Sequence, residues 1–559
     1  MRRNSIFLLS ILLLVFFGLV ACADNDTADT EKEEKKIFDP EPNTEAAQIS
    51  SYNQERMDEQ ADMDADILAE YKEDSYTVKN PFVKLDPYDT SPLSALVMFE
   101  TQNPVTTEVS IGGEKYAETI TNKWEKAETQ HVIPVLGLYP GQDNKVEIIV
   151  TNEEGETTKS EVTITTDALP DDFMETTLVE AHQEAMADGL TYIVPTSGYL
   201  YAVDANADVR WYSSERSRLI FTRLNNGHYL QTTRQDDEKQ YNELIELDML
   251  GKLHHAYHID IQGYDENEDN LIHHEVIEMP NGNLLATTHE PDSDYVEDHM
   301  HEIDRETGKT TQEINLRDVM PGDAPDDYDG KNSDINDWIH QNAIWFDESD
   351  ESILISGRSQ DIILKVSYPE GELKWILGAD EKWPEDYKDY LLEPKGDVKF
   401  PAGQHAMKFV DKPNSQVNPN IKDMILFDNN EVFMRGDRDI SEDYSQAIRY
   451  QIDEEAMTVE QTWAYGEDRG ESFFSHIIGN VQYLYDDDNI ILNSGATKDE
   501  NSPTGTTGRV VEVDANDADS GEIFELEIQG KDPGAVEFTY RTWRLPLYPD
   551  REWDFSLES

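Results

Sequence analysis

Three short, mostly apolar stretches open with a histidine: His274-Glu275-Val276-Ile277, His340-Gln341-Asn342-Ala343-Ile344 and His405-Ala406-Met407-Lys408-Phe409. A guanidinium, Arg358, closes a further stretch, Ile353-Leu354-Ile355-Ser356-Gly357. An antiparallel return from the His340 strand brings Arg358 back to the end where that strand starts. Three imidazoles and a guanidinium make a cationic pocket suited to an anionic group with several oxygens. A neutral imidazole is, besides, a good nucleophile near neutral pH. Side chains alternate along a strand, so His273 is expected on the opposite face and His274 in the pocket.

Such distant residues meet only if their strands are placed equivalently, and a repeat supplies that. Six times an apolar strand ending in an aspartate or a similar step is followed by a turn and a second strand. The copies run from Tyr201 to Trp211, Leu244 to Tyr257, His301 to Ile314, Leu364 to Trp375, Tyr450 to Trp463 and Val511 to Phe524. Further strands lie between them, around Tyr229-Leu230, Leu284-Leu285, Ile353-Leu354, Ile425-Leu426 and Ile490-Ile491. Four-stranded units repeated around an axis protect their edges, so an all-β, six-bladed β-propeller is expected over 191–559. The first strand of every blade then lines the central channel, which places His274, His340 and His405 at matching heights. Short alternating strands over 76–168 predict an N-terminal β-sandwich, and 169–190 is expected to be a helical linker.

The chain has 559 residues, 118 Asp and Glu against 45 Lys and Arg, and a formal net charge of -73. That excess opposes a phosphate backbone, so nucleic acid is excluded as a partner. Spread along the whole sequence, it is read as solvation of a folded surface in a saline or alkaline habitat. Residues 1–22 have the form of an export signal: Arg2-Arg3, an apolar run too short for the roughly 20 residues of a membrane span, then Leu19-Val20-Ala21-Cys22. That ending is a lipobox, so Cys22 is expected to carry lipid and to anchor the protein to the membrane outside the cytoplasm. Cys22 is the only cysteine, which leaves none for a disulfide, a thiol nucleophile or a metal. Residues 23–75 are expected to form an acidic tether with a short helix near Met63 to Tyr71.

The sequence also resembles the bacterial arylsulfate sulfotransferases, which move sulfate between phenols without a nucleotide donor. The resemblance rests on Asn80-Pro81-Phe82, Asp86-Pro87-Tyr88-Asp89-Thr90-Ser91-Pro92-Leu93 and Ile133-Pro134-Val135-Leu136-Gly137. It continues through Asp337-Trp338-Ile339-His340-Gln341-Asn342, Ser356-Gly357-Arg358, Trp375-Ile376-Leu377-Gly378 and Gly403-Gln404-His405. It implies a six-bladed propeller behind a β-sandwich, often as a homodimer, with an aryl sulfate donor, a phenolic acceptor and no cofactor. By that resemblance His405 is the nucleophile that becomes a sulfohistidine in a ping-pong reaction. His340, Arg358 and His274 surround the sulfate, His340 or His274 handling the phenolic proton, and Asn342 contacts substrate.

Other readings fit the same residues. Water as acceptor makes the protein an aryl sulfate hydrolase, a silent pocket makes it a ligand-binding surface propeller, and three imidazoles with a water can hold zinc. Gly308-Lys309-Thr310 is assigned to a hairpin turn rather than a phosphate loop, and Asp327-Tyr328-Asp329-Gly330 to an acidic surface turn. His476, out of register with the other three, is placed at the rim, while His254, His255 and His258 are placed outside.

Overall fold

A computed structural model describes residues 48–559 apart from 73, 114–115, 235–240, 260–270, 290–292, 294, 323, 325–335, 369–370, 411–417, 437, 439–440, 442, 518–520, 532–537, 550–554, 556 and 558–559. Cys22, the export signal, the first part of the tether and the 327–330 turn lie outside the described residues. No described helix is long and apolar enough to cross a membrane.

Strands form almost throughout: side chains alternate between buried and exposed in Asp143–Thr151, whereas strands such as Leu190–Pro195, Tyr229–Thr233 and Ser352–Gly357 are buried on both faces. Among the described residues, six sheets are each built on a four-stranded antiparallel arrangement, and a separate sheet forms the N-terminal region. The innermost strands are Phe221–Arg223, Ile272–Glu278, Gln341–Asp347, His405–Phe409, Asn480–Leu484 and Thr539–Leu545. Each lies beside the next in that order around the channel. The C-terminal strand Thr539–Leu545 pairs with Leu190–Pro195, so the two ends of the chain complete one sheet and close the ring.

The sequence repeat has a local cause. Each repeated hairpin joins the third and fourth strands of a sheet, and its aspartate caps the turn as an Asx motif. Asp248 Oδ1 accepts from the N–H groups of Leu250 (2.9 Å) and Lys252 (3.0 Å), and Asp204, Asp304, Asp453 and Asp514 act in the same way. In the copy without an aspartate, Ser367 Oγ accepts from Glu372 N–H at 2.9 Å. Gly308 lies in such a turn at φ +66°, against the backbone of Tyr52.

The N-terminal region is a sheet in which Ser94–Gly113 serves two partners besides Tyr116–Leu136. Its first part pairs with Phe82–Leu85 and its second with Asp143–Thr151. Val97, Phe99, Val109, Ile111, Val146 and Ile148 share one core with Tyr201, Val203, Val510 and Leu526 of the propeller. At the same joint, the buried Arg210 donates to Gly137 O and pairs with Asp204 at 2.9 Å.

Two expectations fail here. The 169–190 segment is not a helical linker: Glu175–Ala181 is a strand, paired antiparallel with Glu522–Gln529 as a fifth, outermost member of its sheet. Its Thr176, Thr177 and Val179 are β-branched and its exposure alternates, which suits an edge strand. Nor are the described residues of 48–75 a solvated tether, although the helix expected near Met63 to Tyr71 is present as part of a longer one. Ser50–Tyr52 pairs with Leu253–Ile259, and a helix runs from Gln54 to Tyr71, capped by Asn53, whose side chain also donates to Glu243. Lys252 fixes that helix through Asp64 at 2.7 Å.

Neighbouring sheets are also joined by buried charge. Lys365, with no exposure, lies 2.8 Å from Asp347 of its own sheet and 2.6 Å from Glu454 of the next, and Lys422 reaches Asp347 from that next sheet at 2.9 Å. Removing one member leaves the others buried and uncompensated. Lys365→Ala is therefore expected to destabilise the protein by about 3–5 kcal/mol, measured by denaturant unfolding. Burial works against the Asp347 carboxylate, but the two ammonium groups outweigh it and hold its pKa below the usual range. A depressed folded-state pKa contributes stability above the unfolded value near ~4 that is lost as pH falls below it. Unfolding midpoints of the wild type should drop through that window more steeply than those of Lys365→Ala.

Candidate active site

At one mouth of the channel a cavity of ≈ 260 Å³ brings together His274, His340, Arg358 and His405, with His273, Glu297 and Tyr540 among its other lining residues. The backbone explains how. His274 (φ 40°), His340 (φ 48°) and Ala406 (φ 52°) all adopt left-handed conformations where inner strands begin. Leu219 and Ile478 do the same just before two other inner strands. Non-glycine residues avoid this region unless their surroundings impose it. The pairing register shifts at the same places: between Ile272 and Val276, Gln341 and Ala343, and His405 and Lys408.

This break in the two-residue period corrects the expectation for His273. It does not face away: its Nδ1 lies 2.7 Å from Nδ1 of His274, and both line the cavity. Asn342 is corrected in the other direction. It is buried outside the cavity lining, its Nδ2 donates to Gln404 O at 2.8 Å, and its own carbonyl accepts from Arg541. It braces two inner strands.

The three imidazoles expected in the pocket have different electrostatic fates. His405 is 2 % exposed, and its Nδ1 is 2.6 Å from Oδ1 of Asn429. The Asn429 amide is itself oriented, because its Nδ2 donates to Ser475 O (2.7 Å) and Ile478 O (2.8 Å). Oδ1 must therefore face the ring, so His405 carries its proton on Nδ1 and leaves the Nε2 lone pair available. Burial first, then the charge of Arg358, pulls the His405 pKa well below its ordinary value and keeps the ring neutral.

His340 is the opposite case. Its Nδ1 lies 2.6 Å from Asp337 and 2.7 Å from Glu297. Burial opposes the charged ring, but the two carboxylates outweigh it and raise its pKa to about 10. His340 is thus an imidazolium at neutral pH. His274 packs edge-on against it, with ring centroids 4.8 Å apart. Burial and the neighbouring His340 charge lower the His274 pKa well below the ordinary value.

Arg358 starts a short 3₁₀ turn, Arg358–Gln360, after the second strand of the His340 sheet, and its N–H donates to His340 O at 3.2 Å. Its guanidinium lies 4.3 Å above the Phe433 ring and 3.4 Å from both Glu431 and the His476 carbonyl. His476 contributes that backbone oxygen and is not among the residues lining the cavity. His254, His255 and His258 are on the outer strand Leu253–Ile259, facing Asp248, Glu246 and Glu243. Candidate metal ligands gather not as His274, His340 and His405 but as His273, His274 and Glu297, or Glu297, Asp337 and His340. In the second group His340 Nδ1 is hydrogen-bonded to Asp337 and ion-paired with Glu297.

Sequence reasoning missed Asn429 and Glu297 as partners of the histidines. Asp337 stood in view inside the Asp337-Trp338-Ile339-His340 motif. Its three-residue spacing from His340 was the available signal.

Two family profiles match the chain: arylsulfotransferase (ASST) over residues 175–541, and the arylsulfotransferase Ig-like domain over residues 82–167. The arylsulfate sulfotransferase AssT of Escherichia coli O6:H1 is 24% identical, the match covering 77% of this chain and 88% of the relative. Arylsulfate sulfotransferase AssT of Lelliottia amnigena is also 24% identical, with coverage of 82% and 91%. Solved structures that align include a putative 6-phosphogluconolactonase from Bacteroides fragilis, at TM-score 0.32, 12% identity and coverage of 80% and 99%. The Pseudomonas aeruginosa periplasmic gluconolactonase PpgL aligns at TM-score 0.31, 9% identity and coverage of 78% and 99%. Since the first profile alone spans more than half of the sequence, and carries His274, His340, Arg358 and His405 within it, the chain belongs to the arylsulfotransferase family.

Proposed function

We propose that this protein transfers a sulfuryl group from an aryl sulfate to a phenol, in two steps through a sulfated His405. The observation that carries the reading is the locked His405–Asn429 pair, which supplies a neutral imidazole with an available Nε2 inside a pocket that also holds Arg358 and a protonated His340. In the first step the Nε2 lone pair forms a bond to sulfur while the bond from sulfur to the aryl oxygen breaks. The electron pair leaves on that oxygen, which takes a proton from the His340 imidazolium. In the second step the acceptor phenol gives its proton to His340, its oxygen bonds to sulfur, and the pair of the N–S bond returns to Nε2. No net proton is consumed. By analogy with phosphoryl transfer, charge spreads over the sulfuryl oxygens in transit, where Arg358 and His340 oppose it at close range. A neutral His274 completes that wall.

We also propose, from Arg2-Arg3, the short apolar run and the ending Leu19-Val20-Ala21-Cys22, that the protein lies outside the cytoplasm on a lipid at Cys22. Cys22→Ser is expected to move it from the membrane to the soluble fraction, as judged by fractionation and blotting.

With p-nitrophenyl sulfate as donor, p-nitrophenolate release should depend on added phenol; equal steady release without phenol would identify a hydrolase instead. His405→Ala should abolish the burst of release and the mass increase of a sulfated His405 peptide, and retention of wild-type burst rates would disprove its role as nucleophile. Asn429→Ala should slow the burst by about 10²-fold, since a misoriented tautomer leaves the residue present but wrongly protonated.

The donor burst also has a defined pH profile. His340 is charged below its raised pKa of about 10 and loses that charge as pH rises through it. The burst rate should fall on the alkaline side there, and should show no inflection near the ordinary histidine value, because His405 is held well below it.

A further inference from the structure

Asp361 is buried with no exposure and closes the Arg358–Gln360 turn in a left-handed conformation, φ 56°. Its carboxylate is not among the groups lining the cavity and collects backbone donors from two other segments. Oδ1 accepts from Gly403 N–H at 2.9 Å, and Oδ2 accepts from Phe433 (2.9 Å), Met434 (2.6 Å) and Arg435 (2.8 Å). The first segment leads directly into Gln404 and His405. The second contains Phe433, on which Arg358 lies, and begins just after Glu431, which faces the guanidinium. Asn429, the partner of His405, belongs to the same stretch. Arg435 returns the connection by donating to Gln360 O (3.0 Å) and Oε1 (2.8 Å).

Gly403 is the point at which the segments touch. At φ +62° a side chain is disfavoured, and a Cβ would stand 2.8 Å from Glu431 O. We infer that Asp361 is a positioning residue for sulfuryl transfer: its buried carboxylate fixes the spacing between His405 and Arg358 by clamping both loops to the turn that bears Arg358. A carboxylate suits this role because all its lone pairs accept, and charge-assisted bonds to N–H groups are the strong ones. An amide at the same place would turn an NH₂ group toward backbone donors. The inference rests on the proposed reaction, and the test separates the two.

Three variants are compared with the wild type: Asp361→Asn, Arg358→Lys and the double substitution. The readouts are the p-nitrophenolate burst and peptide-level hydrogen exchange. Asp361→Asn is expected to keep its sheets, to exchange faster in peptides covering 403 and 433–435, and to slow the burst by about 10²-fold, the loss that a misplacement near 1 Å produces. Because Asp361 acts through Arg358 and His405, the double variant should be no more than about threefold slower than the slower single variant. A purely structural residue would multiply the two losses. Such a product, or a wild-type burst in Asp361→Asn, overturns the inference. If Asp361→Asn does not fold, Asp361→Glu, which keeps the charge but displaces the acceptors, takes its place with the same criteria. A folded wild type without any transfer would defeat the proposed reaction alone, and unchanged exchange at 403 and 433–435 in the variant would still defeat the clamp.

Discussion

The channel mouth depends on a backbone that leaves the β region for a single residue where the inner strands begin. His274, His340 and Ala406 take left-handed angles there, and the ladder slips by a residue or more alongside. A regular strand would send neighbouring side chains to opposite faces and leave each inner strand one contribution to the mouth. The slip lets His273 and His274 share one cavity and brings His405 and His340 to it from sheets that otherwise differ in insertions and length. Such angles cost free energy, and the rigid sheets on either side are what hold them in place.

Around that backbone the protein assigns different charge states to chemically identical side chains. His405 and His274 are kept neutral by burial and by neighbouring positive charge, while His340 is made a cation by Asp337 and Glu297. The proposed nucleophile and acid need opposite protonation states within one small cavity, and identical rings achieve this only through different partners. The overall charge of -73 has little part in this. The decisive groups are the few within hydrogen-bond reach, where low dielectric strengthens each interaction.

The loops carrying these groups are held from beneath. Asn429 orients His405, Glu431 and Phe433 flank Arg358, and Asp361 fastens the stretch that contains all three. Lower in the structure, Lys365 and Lys422 tie the His340 and His405 sheets together through Asp347 and Glu454. The geometry of the cavity is thus set where two adjacent sheets meet, and neither sheet alone contains it.

Much of the architecture was legible because its causes are local. Strand alternation follows from the period of two, and the repeated hairpins were visible because an aspartate or serine must cap each turn with its own side chain. Residue type and shared strand position for His274, His340 and His405, with the antiparallel return for Arg358, were enough to anticipate that these four side chains line one cavity. What the sequence could not show depends on partners far along the chain. Glu175–Ala181 is a strand because Glu522–Gln529 offers it an edge, and Ser50–Tyr52 because Leu253–Ile259 does. The placement of His273 and Asn342 turned on left-handed residues that alternation does not anticipate. Asp337 lies three residues from His340, but the roles of Asn429, Glu297 and Asp361 were decided only by the tertiary structure, since a pKa and a tautomer are set by groups within a few ångströms in space, and these three are separated by tens of residues in the chain from the groups they hold.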